Sequence, residues 1–233
     1  MPARRTARER VRAEITREIT DIARAQLAAA GAAALSLRAV ARDMGMVSSA
    51  IYRYFASRDD LLTALIIDGY NAIGEAVENA DAACRRDDYP GRWRAACRAA
   101  RAWAVAHPHE YALIYGSPVP GYQAPPDTIG PAARSAAVFG RLISDAFAAG
   151  ELMPVPGGSP IPSGLAEDAS RLRDSLLPGV PDEVVVGTLT AFSGVFGMIS
   201  FELFGQFSNV VTDTAAYYDR GAADLARLIG LAA

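Results

Sequence analysis

The chain has 233 residues, 51% of them hydrophobic and 21% charged, with a formal net charge of −3; this length and apolar share exclude a disordered chain and allow one domain, or a small domain joined to a larger one. Two cysteines, Cys84 and Cys97, without a Cys-x-x-Cys spacing exclude a disulfide framework and suggest no metal site, so a reducing cytoplasm is expected and no cofactor is implied. Charge is unevenly divided: residues 1–60 carry 11 Arg against 7 acids, and residues 61–233 carry 12 Arg against 19, so only a small basic head is suited to meet a polyanion.

In chain order, "MPARRTARERVRAEI" is basic but lacks an apolar run after its arginines, so no secretory signal is expected. A first helix is predicted from Thr6 to Ala30, with Val11, Ile15, Ile19, Ile22 and Leu27 on one apolar stripe and Arg4, Arg5, Arg8 and Arg10 on a basic arm before and into it. Gly31 ends it. Ser36 suits the N-cap of a short second helix in which Leu37, Val40, Ala41 and Met44 face inward and Arg38 and Arg42 outward. Gly45 supplies a turn, and a third helix begins near Ser48, with Ile51 and Phe55 on its inner face.

The outer arc of that third helix carries Ser49, Ala50 and Arg53, flanked by Tyr52 and Tyr54. Small side chains let a backbone approach base edges, while tyrosine hydroxyls and guanidiniums can hold phosphates. Spacing alone leaves this open, because the outer face of any helical hairpin can look similar. The order of residues is more specific. "LSLRAVARDMGMVSSAIYRYFASRDDLLTAL" resembles the DNA-binding segment of TetR-family transcriptional regulators, and the match covers about residues 10–65. The resemblance implies that Ser36 and Arg38 touch phosphates, and that Ser48, Ser49 and Ala50 face bases. It also implies that Tyr52, Arg53 and Tyr54 span bases and backbone, and that Arg58 holds a phosphate. Met46-Val47 stand where the family commonly has Val-Ser, so residue 47 cannot supply a side-chain cap, and Ser48 or Ser49 is expected to take it over.

Beyond the head, a long helix should run from Leu61-Leu62 to "CRRDDYPG", and Pro90 should open another that passes Trp93, Cys97 and Trp103 to His107. The stretch "HPHEYALIYGSPVPGYQAPPDTIGP" reads as a brief helix leading into a loop, followed by a helix over about Pro131–Ala149 and a second, exposed loop, "GELMPVPGGSPIPSG". The segment "VVVGTLTAFSGVFGMISF" (184–201) is uncharged for 18 residues, but flanking acids and its Gly, Ser and Thr favour a buried helix over a membrane span. "DTAAYYDRGAADLARLIGL" completes the chain as an amphipathic helix. The expected fold is all-α, with a helix-turn-helix domain over 1–57 and a helical effector-binding and dimerisation domain over 58–233.

Two stretches of the body resemble a group of TetR-like effector domains: "HPHEYALIYG", and "FSGVFGMISFELFG", where Gly197, Ser200, Glu202 and Gly205 match a Trp/His/Gly-marked helix and Phe192 and Phe196 replace the Trp and His. The resemblance implies a homodimer built on the last two helices, with Val186, Gly187, Thr190, Gly194 and Gly197 at the interface. It also implies repression of a pseudo-palindromic DNA operator. Trp103, Tyr111, Tyr115, Phe139, Phe192 and Phe196 are expected to line a pocket for an apolar small-molecule effector, with Glu202 either a structural anchor or a polar hook. The sequence admits two other function classes: a redox switch through Cys84 and Cys97, and catalysis by His107, His109 and Glu110. The cysteines are more simply buried thiols. The histidines lack a nucleophile, metal spacing or phosphate loop beside them, and His107 reads as the cap ending a helix.

Overall fold

A computed structural model describes residues 6–153 and 160–231. Its ten α-helices are α1 (Ala7–Ala30), α2 (Leu37–Asp43), α3 (Ser48–Ile51), α4 (Arg58–Ala82), α5 (Tyr89–Ala106), α6 (Pro108–Tyr115), α7 (Ile129–Ala148), α8 (Ser163–Leu176), α9 (Asp182–Leu203) and α10 (Thr214–Leu228). Short 3-10 turns cover Ala32–Ala34 and Pro126–Thr128. Among the described residues there is no strand, and the one antiparallel bridge joins Leu152 to Leu231. The fold is all-α, as expected. The expected arm residues Arg4 and Arg5 and residues 154–159 of the second loop lie outside the described residues.

The chain divides into two compact units, one comprising residues 1–70 and 107–129 and the other 71–106 and 130–233. In the first, Ile19, Ala23 and Leu27 of α1 meet Leu37, Val40 and Ala41 of α2, Ile51 and Phe55 at α3, and Leu61, Leu62 and Leu65 of α4 in one core. Side-chain caps set where α1 and α4 start. Thr6 accepts from the Glu9 amide while Glu9 accepts from the Thr6 amide, a reciprocal box that begins α1. Ser57 and Asp60 repeat it before α4. Arg8 and Arg10 therefore belong to the helix and not to an arm, and Val11, assigned to the buried stripe, is exposed because the core begins only about one turn further on.

Segment 107–129 folds with the head residues. Tyr70 donates to the Ile114 carbonyl at 3.1 Å, Thr63 and Tyr122 share a 2.9 Å hydrogen bond, and Ile114 lies against Gly69. His107 does not end α5; it occupies the N-cap position of α6, with Pro108 as the first helical residue.

The second unit is a helical bundle in which α9 packs on α5, α8 and α10, and α10 on α5. Helix α8 was not anticipated from the sequence, since its few apolar positions, with Ala169 the one buried residue, give a faint periodic signal. Side-chain bonds fix the bundle's register. Trp93 donates to the Ala222 carbonyl at 2.8 Å, Tyr218 donates to the Cys97 carbonyl at 2.9 Å, and Arg98 makes a two-pronged pair with Asp219. Arg92, 2% exposed, bonds Asp81 at 2.7 Å and Asp145 at 3.0 Å. Burial works against the Asp81 carboxylate, but hydrogen bonds from Arg92 and Arg86 outweigh it and hold its pKa below the ordinary value.

Candidate nucleic-acid interface and effector body

The turn between α2 and α3 is a Schellman closure. The Met46 amide donates to Ala41 at 2.8 Å and the Gly45 amide to Arg42 at 3.0 Å, with Gly45 at φ 68°. Glycine takes this left-handed conformation without the Cβ clash that penalises other residues. Helix α3 itself is one regular turn, followed by further turn bonds from Tyr54 and Phe55 to the Ile51 carbonyl. Its N-cap position is Val47, which makes no side-chain cap, so the expected takeover by Ser48 or Ser49 is not seen. Ser36 likewise sits at the N-cap of α2 without a side-chain bond.

With Ile51 and Phe55 buried, the outer arc presents Ser48, Ser49, Tyr52 and Arg53 to solvent, with Ala50 partly covered and Arg38 exposed on α2. The other expected contacts are engaged within the head. Tyr54 packs on the core, and Arg12 of α1 lies over its ring with the guanidinium carbon 5.3 Å from the centroid. Arg58 donates to the carbonyls of Ala32 (2.8 Å) and Leu35 (3.2 Å), closing the end of the 3-10 turn that leads into α2. It therefore adds a second donor to the Ala32 carbonyl, which already accepts from the Leu35 amide at 3.3 Å, and holds the Leu35 carbonyl at the end of the turn.

In the second unit, aromatic rings form a ladder. Trp93 meets Phe139 edge to face at 5.1 Å, Phe139 meets Phe192 at 5.7 Å, and Phe192 meets Phe196 at 4.6 Å. Trp103 is also buried in this unit. Tyr111 and Tyr115 belong to the first unit, where their rings lie 5.0 Å apart and Tyr115 meets Tyr70 edge to face at 5.9 Å. Burial pushes the Tyr115 hydroxyl pKa well above its usual value, so it remains protonated. Glu202 is gripped by Arg101 through two hydrogen bonds, 2.7 and 2.5 Å, and accepts a third from Thr214 at 2.8 Å. The Arg101 hydrogen bond outweighs desolvation and holds the carboxyl below its ordinary range. Of its two expected roles the geometry matches an anchor joining α5, α9 and the start of α10.

Helix α9 is long and apolar enough to cross a membrane by length and composition, yet only 33% of its most apolar window is buried within the chain. Leu189 is 43% and Phe201 52% exposed, on the arc that also carries Val186, Thr190 and Gly197. A Cβ on Gly197 would meet nothing within 4 Å. Gly187 and Gly194 differ: a Cβ there would approach Ile229, just after α10, at 3.3 Å and Leu225 of α10 at 2.8 Å, so these two glycines face the C-terminal helix of their own chain.

Cys97 is fully buried, and desolvation pushes its thiol pKa far above the usual value, which opposes the thiolate that redox exchange requires. The side chains that sequence reasoning missed are Arg12, Arg101 and Asp60. Only Asp60 had a local signal, the Ser-x-x-acid spacing of a capping box; Arg12 bonds a carbonyl 41 positions away and Arg101 a partner 101 positions away.

Residues 19–65 match the family model described as bacterial regulatory proteins of the tetR family, and residues 93–225 match the tetracyclin repressor-like C-terminal domain. HTH-type transcriptional regulators of Mycobacterium tuberculosis and Mycobacterium bovis are each 42% identical over 219 residues, covering 93% of this chain and 91% of theirs. Among solved structures, the regulatory protein SCO4313 has 38% identity and a TM-score of 0.76 over 94% of this chain and 98% of its own. A tetR-family protein from Rhodococcus RHA1, 19% identical with a TM-score of 0.62, covers 94% and 98% and shares the fold. A Gly-closed helix-turn-helix with a polar outer arc, matched by the head model, and a bundle matched by the body model lead to one conclusion: the chain belongs to the TetR family of bacterial transcriptional regulators, DNA-binding proteins and not enzymes.

Proposed function

We propose that the chain is a ligand-responsive repressor that binds a pseudo-palindromic operator as a homodimer and leaves it when an apolar small molecule occupies the body. The observation that carries the DNA-reading part is the outer arc of α3, where Ser48, Ser49, Tyr52 and Arg53 are exposed while Ile51 and Phe55 are buried. Ser48, Ser49 and Ala50 face base edges. Tyr52 and Arg53 span bases and phosphates, and Ser36 and Arg38 hold the backbone from α2. Tyr54 and Arg58 act from behind this surface, one as packing and the other as a backbone clamp.

Dimerisation uses the arc of α9 that its own chain leaves open, with Val186, Leu189, Thr190, Gly197 and Phe201 meeting the same residues of a second copy. Two copies then place two α3 helices in successive major grooves, roughly one helical turn apart. The effector contacts the aromatic ladder at Phe139, Phe192 and Phe196 in the second unit, where the absence of the Trp and His marks leaves a less polar lining. A ligand releases DNA only to the extent that it binds the released conformation more tightly.

The test starts by selecting bound duplexes from a random pool. Arg53→Ala and Tyr52→Phe should weaken the selected duplex while the variants keep the parent's melting temperature and dimer mass. Parent-like affinity in both variants would remove α3 as the reader. A screen of apolar compounds should find one that raises the melting temperature and releases the duplex, with Phe196→His changing that response and not the ligand-free DNA affinity. A screen that moves neither quantity leaves a constitutive DNA-binding dimer.

A further inference from the structure

Helix α3 has no side chain capping its N-terminus and only one regular turn, so its own ends do little to fix its orientation. The inner anchors Ile51 and Phe55 hold its axis against the core. The direction of the residues beyond Ile51 needs something more, because the helical bonding ends there: the Ser57 amide, four residues beyond Arg53 and its partner in a continued helix, donates to the Asp60 carboxylate at 3.0 Å instead. Arg12, 41 residues earlier on α1, supplies it. Its Nη2 donates to the Arg53 carbonyl at 2.9 Å, and the same guanidinium lies over the Tyr54 ring at 5.3 Å. One side chain thus holds the backbone at 53 and the ring at 54.

We propose that Arg12 is a positioning residue for sequence-specific DNA reading: it clips the outgoing end of α3 to α1 and thereby sets where Tyr52 and Arg53 project. This rests on the assignment of α3 as the reading element. The chemistry suits arginine in particular. A guanidinium offers donors in its plane and a flat face for stacking at once, whereas the ammonium of lysine is a point charge that cannot present both in one geometry. The positive charge also complements the carbonyl end of a helix. Arg12 is exposed, and its partners are a carbonyl and a ring, not a carboxylate, so its contribution lies in geometry at the reading surface and little in the core.

A phosphate contact by Arg12 is the rival role, and salt separates the two. A side chain that neutralises a phosphate takes part of the salt dependence with it when removed, lowering the slope of log K against log salt by about 0.9. A positioning residue lowers the specific affinity and leaves that slope in place. The experiment measures binding of the full-length parent, Arg12→Ala and Arg12→Lys to a duplex selected from a random pool by the parent and to a scrambled duplex, across a salt series, with melting temperatures alongside. Arg12→Ala should lose roughly tenfold or more on the selected duplex, the combined effect of a charge-assisted hydrogen bond and a cation–π contact. It should stay within about twofold on the scrambled one, at the parent's salt slope and near its melting temperature. Arg12→Lys should fail to restore selectivity although it restores the charge.

Equal losses on both duplexes with a shallower slope, or full rescue by Arg12→Lys, would make Arg12 a phosphate contact and overturn the proposal. So would unchanged selectivity in both variants, or losses that track a fall in melting temperature. A parent that selects no duplex from the pool would fail the reading assignment itself, a result distinct from any of these.

Discussion

Glu202 offers the sharpest check on the body, because an anchor and a ligand hook respond oppositely to its removal. Glu202→Ala takes away two charge-assisted hydrogen bonds from Arg101 and one from the Thr214 hydroxyl. The Glu202 and Arg101 side chains are 14% and 22% exposed, so Arg101 is left largely desolvated with its hydrogen-bonded carboxylate gone and Asp219 acting on it only through its charge. Complete burial would place the cost at the upper end of roughly 3–5 kcal/mol, and the residual solvent access brings the expectation to about 3 kcal/mol. For a chain of this size that corresponds to a fall in melting temperature of roughly 6–12 °C. The effect carries a pH signature. The folded carboxyl is held below its ordinary 4.5, so its stabilisation is fully present above that value and disappears as pH falls through the lowered folded value. Urea midpoints of parent and variant, measured at fixed protein concentration from pH 7 into the range well below 4.5, should therefore keep their separation down to the ordinary carboxyl value and converge only below it. A variant that melts with the parent at pH 7 but loses its response to an effector would refute the anchor and make Glu202 a hook.

Arg92→Ala should cost about 3–5 kcal/mol in urea unfolding, because Asp81 is left partly buried with Arg86 alone; the double change Arg92→Met with Asp81→Leu should recover most of it. Gly45→Ala meets no neighbour within 4 Å, so its cost is the left-handed backbone alone, about 1 kcal/mol by denaturant midpoint, with a matching loss of affinity for a selected duplex if the turn rotates. Gly197→Ala meets no neighbour and should stabilise by about 1 kcal/mol through helix propensity, whereas Gly194→Ala should lose that gain because its methyl falls 2.8 Å from the Leu225 tip, which has to shift. Gly197→Leu should lower the dimer fraction in sedimentation while the single chain keeps its helicity; an unaltered dimer would move the interface off this arc.

The helices of the head were readable because local signals coincide there: the apolar spacing of Leu37, Val40 and Ala41, Gly45 at the turn, and Ile51 with Phe55 on one face all specify the same packing. The long apolar α9 was legible for the same reason. What stayed hidden is of two kinds. Helix α8 buries one alanine, too little to mark a face in the sequence. Arg12, Arg58 and Arg101 act on carbonyls, a ring and a carboxylate that are close only after folding, and with 23 arginines in the chain nothing in the sequence assigns these three those partners. Arg58 shows the limit of motif reasoning most directly, since its position suggested a phosphate contact and its guanidinium closes a backbone turn.

The buried Cys97 turns the bundle into its own clock. Its thiol lies on α5 at the residue whose carbonyl accepts from Tyr218 of α10, while Cys84 is partly exposed at the end of α4. Alkylation requires a thiolate reached by solvent, and burial denies Cys97 both. A brief pulse of reagent should therefore mark Cys84 promptly and mark Cys97 only in molecules whose α5 and α10 have come apart at that moment. The ratio of the two adducts reads local opening of the bundle in the unmodified native sequence. The same pulse applied with DNA, and then with a candidate effector, would report whether either partner slows that breathing, without a cysteine being engineered.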